Sequence, residues 1–169
     1  MAEKPTIFER DKLENENFVG AGEFGEVFCA VLRHTDDVVA VKILNTPQRL
    51  KKMYVHVVES SKEASILQRP RGHVNVVQLM GICVGINPLH YALVLDYVDN
   101  GNLEDLLLYE REKQPIVKQW NCRCSMGLDV SRGMLYIHNQ KDLITLTHLK
   151  SSHVLETQTY RCKVRASSL

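Results

Sequence analysis

The chain has 169 residues, of which 44% are hydrophobic and 24% are charged, and its formal net charge is +1. These values are typical of soluble globular domains, and the length is sufficient for a buried core. A net charge so close to zero argues against a global attraction to nucleic acid, so no nucleic-acid partner is expected. The most apolar run, Tyr91 to Val98, has eight residues and contains Asp96, so it is too short to span a membrane. With five scattered cysteines and no apolar leader segment, we expect reduced thiols and a cytoplasmic protein.

The first half of the chain predicts strands interrupted by one helix. Alternating apolar residues and glycines over residues 17–44 predict three strands. Apolar and acidic residues then recur at helical spacing until a proline and a glycine at residues 70–72 end the pattern. Two further strands are predicted over 74–84 and 91–97.

The second half predicts mainly helix. Leucines after Asn100-Gly101 indicate a short helix, and residues 120–140 carry enough apolar residues for a long, buried amphipathic helix. The last thirty or so residues return to short alternating segments. This order of elements predicts an α+β fold rather than a series of βαβ units.

Three glycines, Gly20, Gly22 and Gly25, form a G-x-G-x-x-G pattern in the first strands. Alone, this pattern is weak and also occurs in dinucleotide-binding folds, where a helix follows the glycines. Here a strand containing Val27 follows, so the glycines predict a hairpin that covers phosphate groups. Glycine suits this position because backbone N–H groups approach phosphate oxygens with no Cβ in the way.

Several segments in this order and spacing resemble a protein kinase domain, closest to the tyrosine kinase and tyrosine-kinase-like groups. The resemblance implies a five-stranded antiparallel upper lobe with helix C, followed by a helical lower lobe that is incomplete here. The segments that carry it are Gly20–Val27, Val39–Lys42, Lys62–Leu67 with Glu63, Val77–Cys83, Leu93–Val98, Asn100–Leu103 and Trp120–His138.

The resemblance also implies an ATP site in the upper lobe. Lys42 is similar to the lysine that contacts phosphate, Glu63 to its helix C partner, and Leu95 to the gatekeeper. The Lys42–Glu63 pair is also open to a purely structural interpretation, as an inherited salt bridge. The residues expected to bind the nucleotide are Gly20, Gly22, Gly25, Val27, Ala40, Lys42, Glu63, Leu95, Asp96 and Val98.

The segments that resemble the catalytic machinery depart from the family pattern. His148 stands where the family has its catalytic aspartate, His153 where it has a metal-binding asparagine, and Ala166 where it has the aspartate of D-F-G. Mg²⁺ prefers oxygen ligands, so weak ATP binding with little or no Mg²⁺ is expected, and no other metal site is predicted. His148 and Lys150 remain at this loop, but no residue is assigned a catalytic role, although Lys150 is able to offset phosphate charge.

We expect a kinase-like upper lobe over residues 1–97 and a partial lower lobe over 98–169, because the resemblance ends before the activation segment. The long lower-lobe helix would then be partly exposed and available to a protein partner. The favoured function is a pseudokinase-type regulatory module that binds adenine nucleotide and transfers phosphate poorly. The alternatives are an active protein kinase, specific for tyrosine or dual in specificity, and a non-binding structural fragment or incomplete gene model.

Overall fold

The structure is a computed structural model that describes residues 6–22, 25–44, 72–84, 91–110, 115–139 and 149–165. The chain forms two compact units. The first contains residues 1–72 and 78–97, and the second contains residues 73–77 and 98–169. The predicted helix C, with Glu63, lies outside the described residues.

Among its described residues, the first unit contains one six-stranded sheet with the order β1-β5-β6-β4-β3-β2. A 3₁₀ turn at Arg10–Lys12 joins the first two strands. The five strands β2 to β6 pair in antiparallel fashion, as the resemblance predicted. The strands are β1 (Thr6–Glu9), β2 (Leu13–Gly22), β3 (Gly25–Leu32), β4 (Val38–Leu44), β5 (Leu79–Val84) and β6 (Tyr91–Asp96).

Strand β1 was not predicted, and it extends the sheet in parallel beside β5, with Thr6 opposite Gly81. Gly81 allows this pairing because a Cβ there would lie 2.2 Å from the backbone oxygen of Thr6. Any larger residue at position 81 would therefore push the two strands apart.

The predicted strand over residues 74–84 was wrong in its first half. Residues 73–77 belong to the second unit, where Val76 forms an isolated parallel bridge to Val164 and Asn75 donates from its side chain to the oxygen of Cys162 at 2.9 Å. Because the hydrogen bonds of this segment go to Cys162 and Val164, the ladder between β5 and β6 begins only at Leu79.

The second unit contains a short and a long helix. Helix α1 (Leu103–Asp105) is capped by the Asn102 side chain, which accepts from the backbone N–H of Asp105 at 2.9 Å, and it continues as a π-helical turn, Leu106–Glu110. A 3₁₀ turn, Pro115–Lys118, precedes helix α2 (Trp120–His138), which confirms the predicted long helix. A further 3₁₀ turn, Ser151–His153, leads into the hairpin of β7 (Val154–Glu156) and β8 (Cys162–Val164).

Helix α2 is buried on one side only. Met126, Asp129, Gly133 and Ile137 are buried, and their spacing places them on one face of the helix. Gly133 packs so closely that a Cβ there would lie 2.4 Å from the backbone oxygen of Asn75. The other side carries exposed apolar residues, in agreement with the expectation that the long helix is partly exposed: Trp120, Leu128 and Leu135 are 74%, 49% and 60% exposed.

Candidate functional site

Four strands of the first unit align the glycine motif with the predicted phosphate-binding lysine. Gly20 on β2 lies opposite Val27 on β3, Val27 lies opposite Lys42 on β4, and Lys42 lies opposite Leu93 on β6. Residues directly opposite each other in an antiparallel ladder have side chains on the same face. Val27 and Lys42 therefore share one face of the sheet, with Gly20 adding backbone alone.

A second row extends this face. Cys29 lies opposite Ala40, and Ala40 lies opposite Leu95. Because strand side chains alternate with a period of two, Ala40 shares the face of Lys42, and Leu95 shares the face of Leu93. We call the face that carries Val27, Ala40, Lys42 and Leu95 the lysine face.

The other face of the sheet is an apolar core. It packs Ala30, Val39, Val41, Cys83, Ala92 and Val94 together with two residues from the sheet margin, Leu13 and Leu32. The core occupies the positions that alternate with the lysine face, so a one-residue slip in register would bury Lys42 in the core. The hydrophobic pattern of the core therefore fixes which side of the sheet carries the lysine.

The backbone conformation requires glycine at one position of the motif but not at another. A Cβ added to Gly20 would meet no heavy atom within 4 Å. Gly25 has φ of +140°, a conformation that favours glycine, and it pairs with Gly22 where β2 and β3 meet, so the predicted antiparallel pairing of these two strands is confirmed. The fold explains Gly25 but gives no steric reason for Gly20.

The end of β6 holds Asp96, whose side chain takes part in the backbone pairing. Its carboxylate accepts from the backbone N–H of Gln78 at 3.2 Å, and its own N–H donates to the Gln78 oxygen at 3.0 Å. The Asp96 side chain thus closes the β5–β6 pair. Val98, the last predicted nucleotide-binding residue, is buried in the second unit.

The predicted catalytic-loop positions are only partly described. Lys150 is exposed and precedes the 3₁₀ turn, and the half-buried His153 ends that turn and accepts through its backbone oxygen from the N–H of Arg165 at 2.8 Å. His148, Ala166 and Glu63 lie outside the described residues. In the part of the chain that the structure describes, no group of three or more His, Cys, Asp or Glu side chains could hold a metal ion.

Sequence reasoning missed an ion pair that joins α2 to the β7–β8 hairpin. Asp129, which is 1% exposed, accepts from Arg161 Nε and Nη2, both at 2.7 Å, and from the N–H of Cys162 at 3.1 Å. Burial alone would raise the pKa of Asp129, but the hydrogen bonds from Arg161 and Cys162 hold it below its ordinary value. The signal was available, since Asp129 stands at core spacing between Met126 and Gly133.

Sequence reasoning also missed a buried carboxyl group in β7. Glu156 is 0% exposed, and neither of its carboxylate oxygens has a hydrogen-bond partner. Burial raises its pKa to about 7. The period of two in Val154-Leu155-Glu156 places Glu156 on the face of the buried Val154, which is the signal that could have revealed it.

Comparison with known proteins agrees with this geometry. The family model described as "Protein kinase domain" matches residues 13–165. The chain is 32% identical over 146 residues to "Probable serine/threonine-protein kinase drkD" of Dictyostelium discoideum, covering 86% of this chain and 10% of that protein. It is 33% identical over 153 residues to "Probable serine/threonine-protein kinase PBL28" of Arabidopsis thaliana, covering 89% and 38%. It is 36% identical over 148 residues to "Lectin-domain containing receptor kinase VI.3" of Arabidopsis thaliana, covering 86% and 20%.

The chain belongs to the protein kinase domain family, and it has the family's fold. It spans well under half the length of these relatives, from 10% to 38%. Within the described residues, no helix is both long and apolar enough to cross a membrane.

Proposed function

We propose that this chain is a kinase domain that binds adenine nucleotide on the lysine face and transfers phosphate poorly, acting as a regulatory module. The observation that carries the proposal is the convergence of Val27, Ala40, Lys42 and Leu95 on one face of the sheet, opposite the apolar core. Their chemistry suits a nucleotide, since apolar side chains pack on a base and a lysine pairs with phosphate.

Gly20 supports a bound phosphate at this face. The fold leaves open space at its Cβ position, so a ligand that approaches the backbone closely would account for the glycine. Lys42 lies in the same row and is 5% exposed, which places its charge where the dielectric constant is lower than in water. These two features favour a phosphate group at the hairpin.

The impaired transfer rests on three positions of the sequence. Protein kinases hold Mg²⁺ through an aspartate and an asparagine and position the acceptor hydroxyl with a further aspartate. At the matching positions this chain has Ala166, His153 and His148. Alanine supplies no ligand and imidazole nitrogen is a poor ligand for Mg²⁺, so the residues present do not fit the metal.

Thermal unfolding with ATP tests nucleotide binding, since a ligand that binds the folded state alone raises Tm. We expect stabilisation in wild type, less in Gly20→Ala and none in Lys42→Met. Ala21→Val is the matched control, because Ala21 is exposed and its side chain lies on the opposite side of β2 from position 20. No shift with wild type would contradict the proposal and favour a non-binding structural fragment. An equal shift in Gly20→Ala would contradict a phosphate bound against the Gly20 backbone.

Adding Mg²⁺ tests the impaired metal site separately. We expect Mg²⁺ to add little to the ATP-induced Tm shift of wild type. The double variant His153→Asn/Ala166→Asp restores an amide and a carboxylate, so it should gain a clear Mg²⁺-dependent increment. A large Mg²⁺ increment in wild type would show that the metal site is intact.

The second candidate is an active protein kinase, and the relatives named as serine/threonine-protein kinases favour it. Their names point to serine or threonine acceptors, and tyrosine specificity stays a prediction. Radiolabelled ATP with generic acceptor proteins, followed by phosphoamino-acid analysis, distinguishes the two candidates. Phosphate incorporation that disappears in His148→Ala would establish transfer through this loop and refute the impaired-transfer proposal.

A regulatory module also needs a protein partner, and the exposed apolar residues of α2 support one. Trp120, Leu128 and Leu135 lie along the side of the helix opposite its buried face. Sedimentation velocity tests whether this partner is a second copy of the chain. If it is, Leu128→Glu should weaken self-association and lower the average mass of the sedimenting species. A cytoplasmic location likewise remains part of the proposal.

A further inference from the structure

The two edge strands of the six-stranded sheet lie close together in space. Strand β1 forms one edge and β2 the other, yet only the 3₁₀ turn Arg10–Lys12 connects them. The Cα–Cα steps from β1 to β2, of about 3.8 Å each, span at most about 15 Å, whereas the edges of a flat sheet of this size would lie about 24 Å apart. The sheet is therefore curled, and its edges meet at this turn. The core reflects the curl, because Leu13 of β2 packs in one cluster with Cys83 of β5.

Arg10 lies at this turn, and its side chain reaches both neighbouring strands. Its Nη2 donates to a carboxylate oxygen of Glu16 on β2, and the two side chains are only 30% and 24% exposed. Its Nη1 is buried. The guanidinium also lies beside the thiol of Cys83 on β5, since burial raises the pKa of this thiol and the charge of Arg10 acts in the opposite direction. Arg10 therefore links β2 to the opposite side of the sheet where the two edges meet.

Strand β2 depends on such a link because its own pairing is irregular. Among the described strands β2 pairs with β3 alone, and the register between them shifts twice. At the first shift Asn15 has φ of 54°, and the side chain of Glu16 beside it is directed to Arg10. The second shift lies between Phe18 and Gly20. Because each shift interrupts the ladder, contacts outside the ladder contribute to the position of this strand.

We propose that Arg10 is a positioning residue for nucleotide binding, which holds β2 through Glu16 and thereby keeps the Gly20 backbone against the phosphate. This inference rests on the proposed function, in which phosphate binds beside Lys42. Glu16 and Gly20 belong to the same strand, four residues apart, so a loss of the link at Glu16 reaches the phosphate position directly. The base would instead pack on β4, which is paired on both sides. Arg10 should therefore affect ligands with phosphate more than those without it.

Calorimetric titration of the full chain with ATP and with adenosine, well below the unfolding temperature, tests this role. Arg10→Gln removes the ion pair, so the Kd for ATP should rise about two- to fivefold, as expected for one partly exposed pair, while the Kd for adenosine stays unchanged. Arg10→Lys keeps the charge and should retain most of the ATP affinity. Arg33→Gln is the matched control, because Arg33 pairs with Glu14 of β2 at 2.5 Å but joins it only to the end of β3, and both side chains are more exposed, at 52% and 43%. It should change neither Kd.

Hydrogen exchange of the nucleotide-free chain tests the link without a ligand. Arg10→Gln should speed the exchange of amides 17–22 of β2, Arg33→Gln should not, and the amides of β4 should stay protected in both variants. Unchanged exchange of amides 17–22 in Arg10→Gln would overturn the inference. An unchanged Kd for ATP, or equal weakening of ATP and adenosine, would also overturn it. If wild type binds no ATP, the proposed function is refuted, and faster exchange in Arg10→Gln would still show that Arg10 holds this strand.

Discussion

Glu156 places an unpaired carboxyl group in the apolar interior of the second unit, and Glu156→Leu removes it. Leucine has a similar size and fits the surroundings, since the neighbouring cluster contains Leu106, Val117 and Met126. We expect this variant to be more stable than wild type, by an amount that depends on pH.

The magnitude follows from the pKa of Glu156. Burial raises it from 4.5 to about 7, and this difference corresponds to about 3 kcal/mol. Because the folded-state pKa lies above the unfolded one, the unfolded chain releases the proton first, so wild-type stability falls as pH rises from 4.5 through about 7. At pH 5 the folded state keeps Glu156 neutral. Glu156→Leu then raises the free energy of unfolding only by removing an unpaired buried polar group, which costs about 1–3 kcal/mol. At pH 8 the gain increases by a further ~2.5 kcal/mol, because at pH 5 the unfolded state, with its pKa of 4.5, is already mostly ionised.

Urea unfolding at pH 5 and pH 8 measures the difference in free energy of unfolding between Glu156→Leu and wild type at each pH. The slope m tests whether unfolding exposes the same surface in both proteins. The other perturbed groups near Glu156 titrate outside this range. Burial, and then the charge of Glu156, raise the pKa of Cys162 to about 12, and the same causes raise the pKa of Cys122 above 9.0. The lowered pKa of Asp129 lies below 3.8.

Glu156→Gln is the matched control, because it removes the titration and keeps a buried polar group. It should match wild type at pH 5 and exceed it at pH 8. The reasoning is refuted if the stability gap between wild type and Glu156→Leu is the same at both pH values, because the carboxyl would then not be held neutral by burial.

Three further predictions concern packing and the ion pair. Gly133→Ala should cost about 1–3 kcal/mol by urea unfolding, since its Cβ would lie 2.4 Å from the Asn75 oxygen, whereas Gly127→Ala in the same helix should gain up to about 1 kcal/mol. Gly81→Ala should remove hydrogen-exchange protection from the amides of β1 while that of β4 remains, and equal protection of β1 would contradict its close packing. Asp129 contributes stability that is present above pH 3.8 and is lost as pH falls through its lowered pKa, so Asp129→Asn should lower stability at pH 6 and flatten the acid limb of the pH profile.

The sequence predicted the sheet well because local pattern and long-range pairing agree there. The β-branched run Val38–Leu44 forms a central strand, and alternation along it separates the core from the lysine face. The strand prediction was wrong for residues 73–77, because a period of two cannot distinguish a strand from an extended segment whose hydrogen bonds go to a distant part of the chain. Only the partners of Asn75 and Val76, 87 and 88 residues away, decide that question.

The helical unit was harder to predict because apolar composition does not reveal which face a helix buries. Helix α2 carries apolar residues on both sides, and its buried side includes Asp129, which a hydrophobicity pattern assigns to solvent. The ion pair with Arg161 reverses that assignment, since a carboxylate with three donors is compatible with burial.

Glycine positions separate what the fold requires from what a ligand would require. Gly81 and Gly133 each have a backbone oxygen within 2.4 Å of a Cβ that a larger residue would carry, so packing alone accounts for both. Gly20 has nothing within 4 Å and lies in a strand interior, where glycine costs about 0.5–1 kcal/mol relative to alanine. No close contact among the described residues compensates for this cost at Gly20, whereas a phosphate bound against its backbone would. Because Val27 and Lys42 stand in the same row as Gly20, that compensation would arise beside the lysine, where the proposed function needs it.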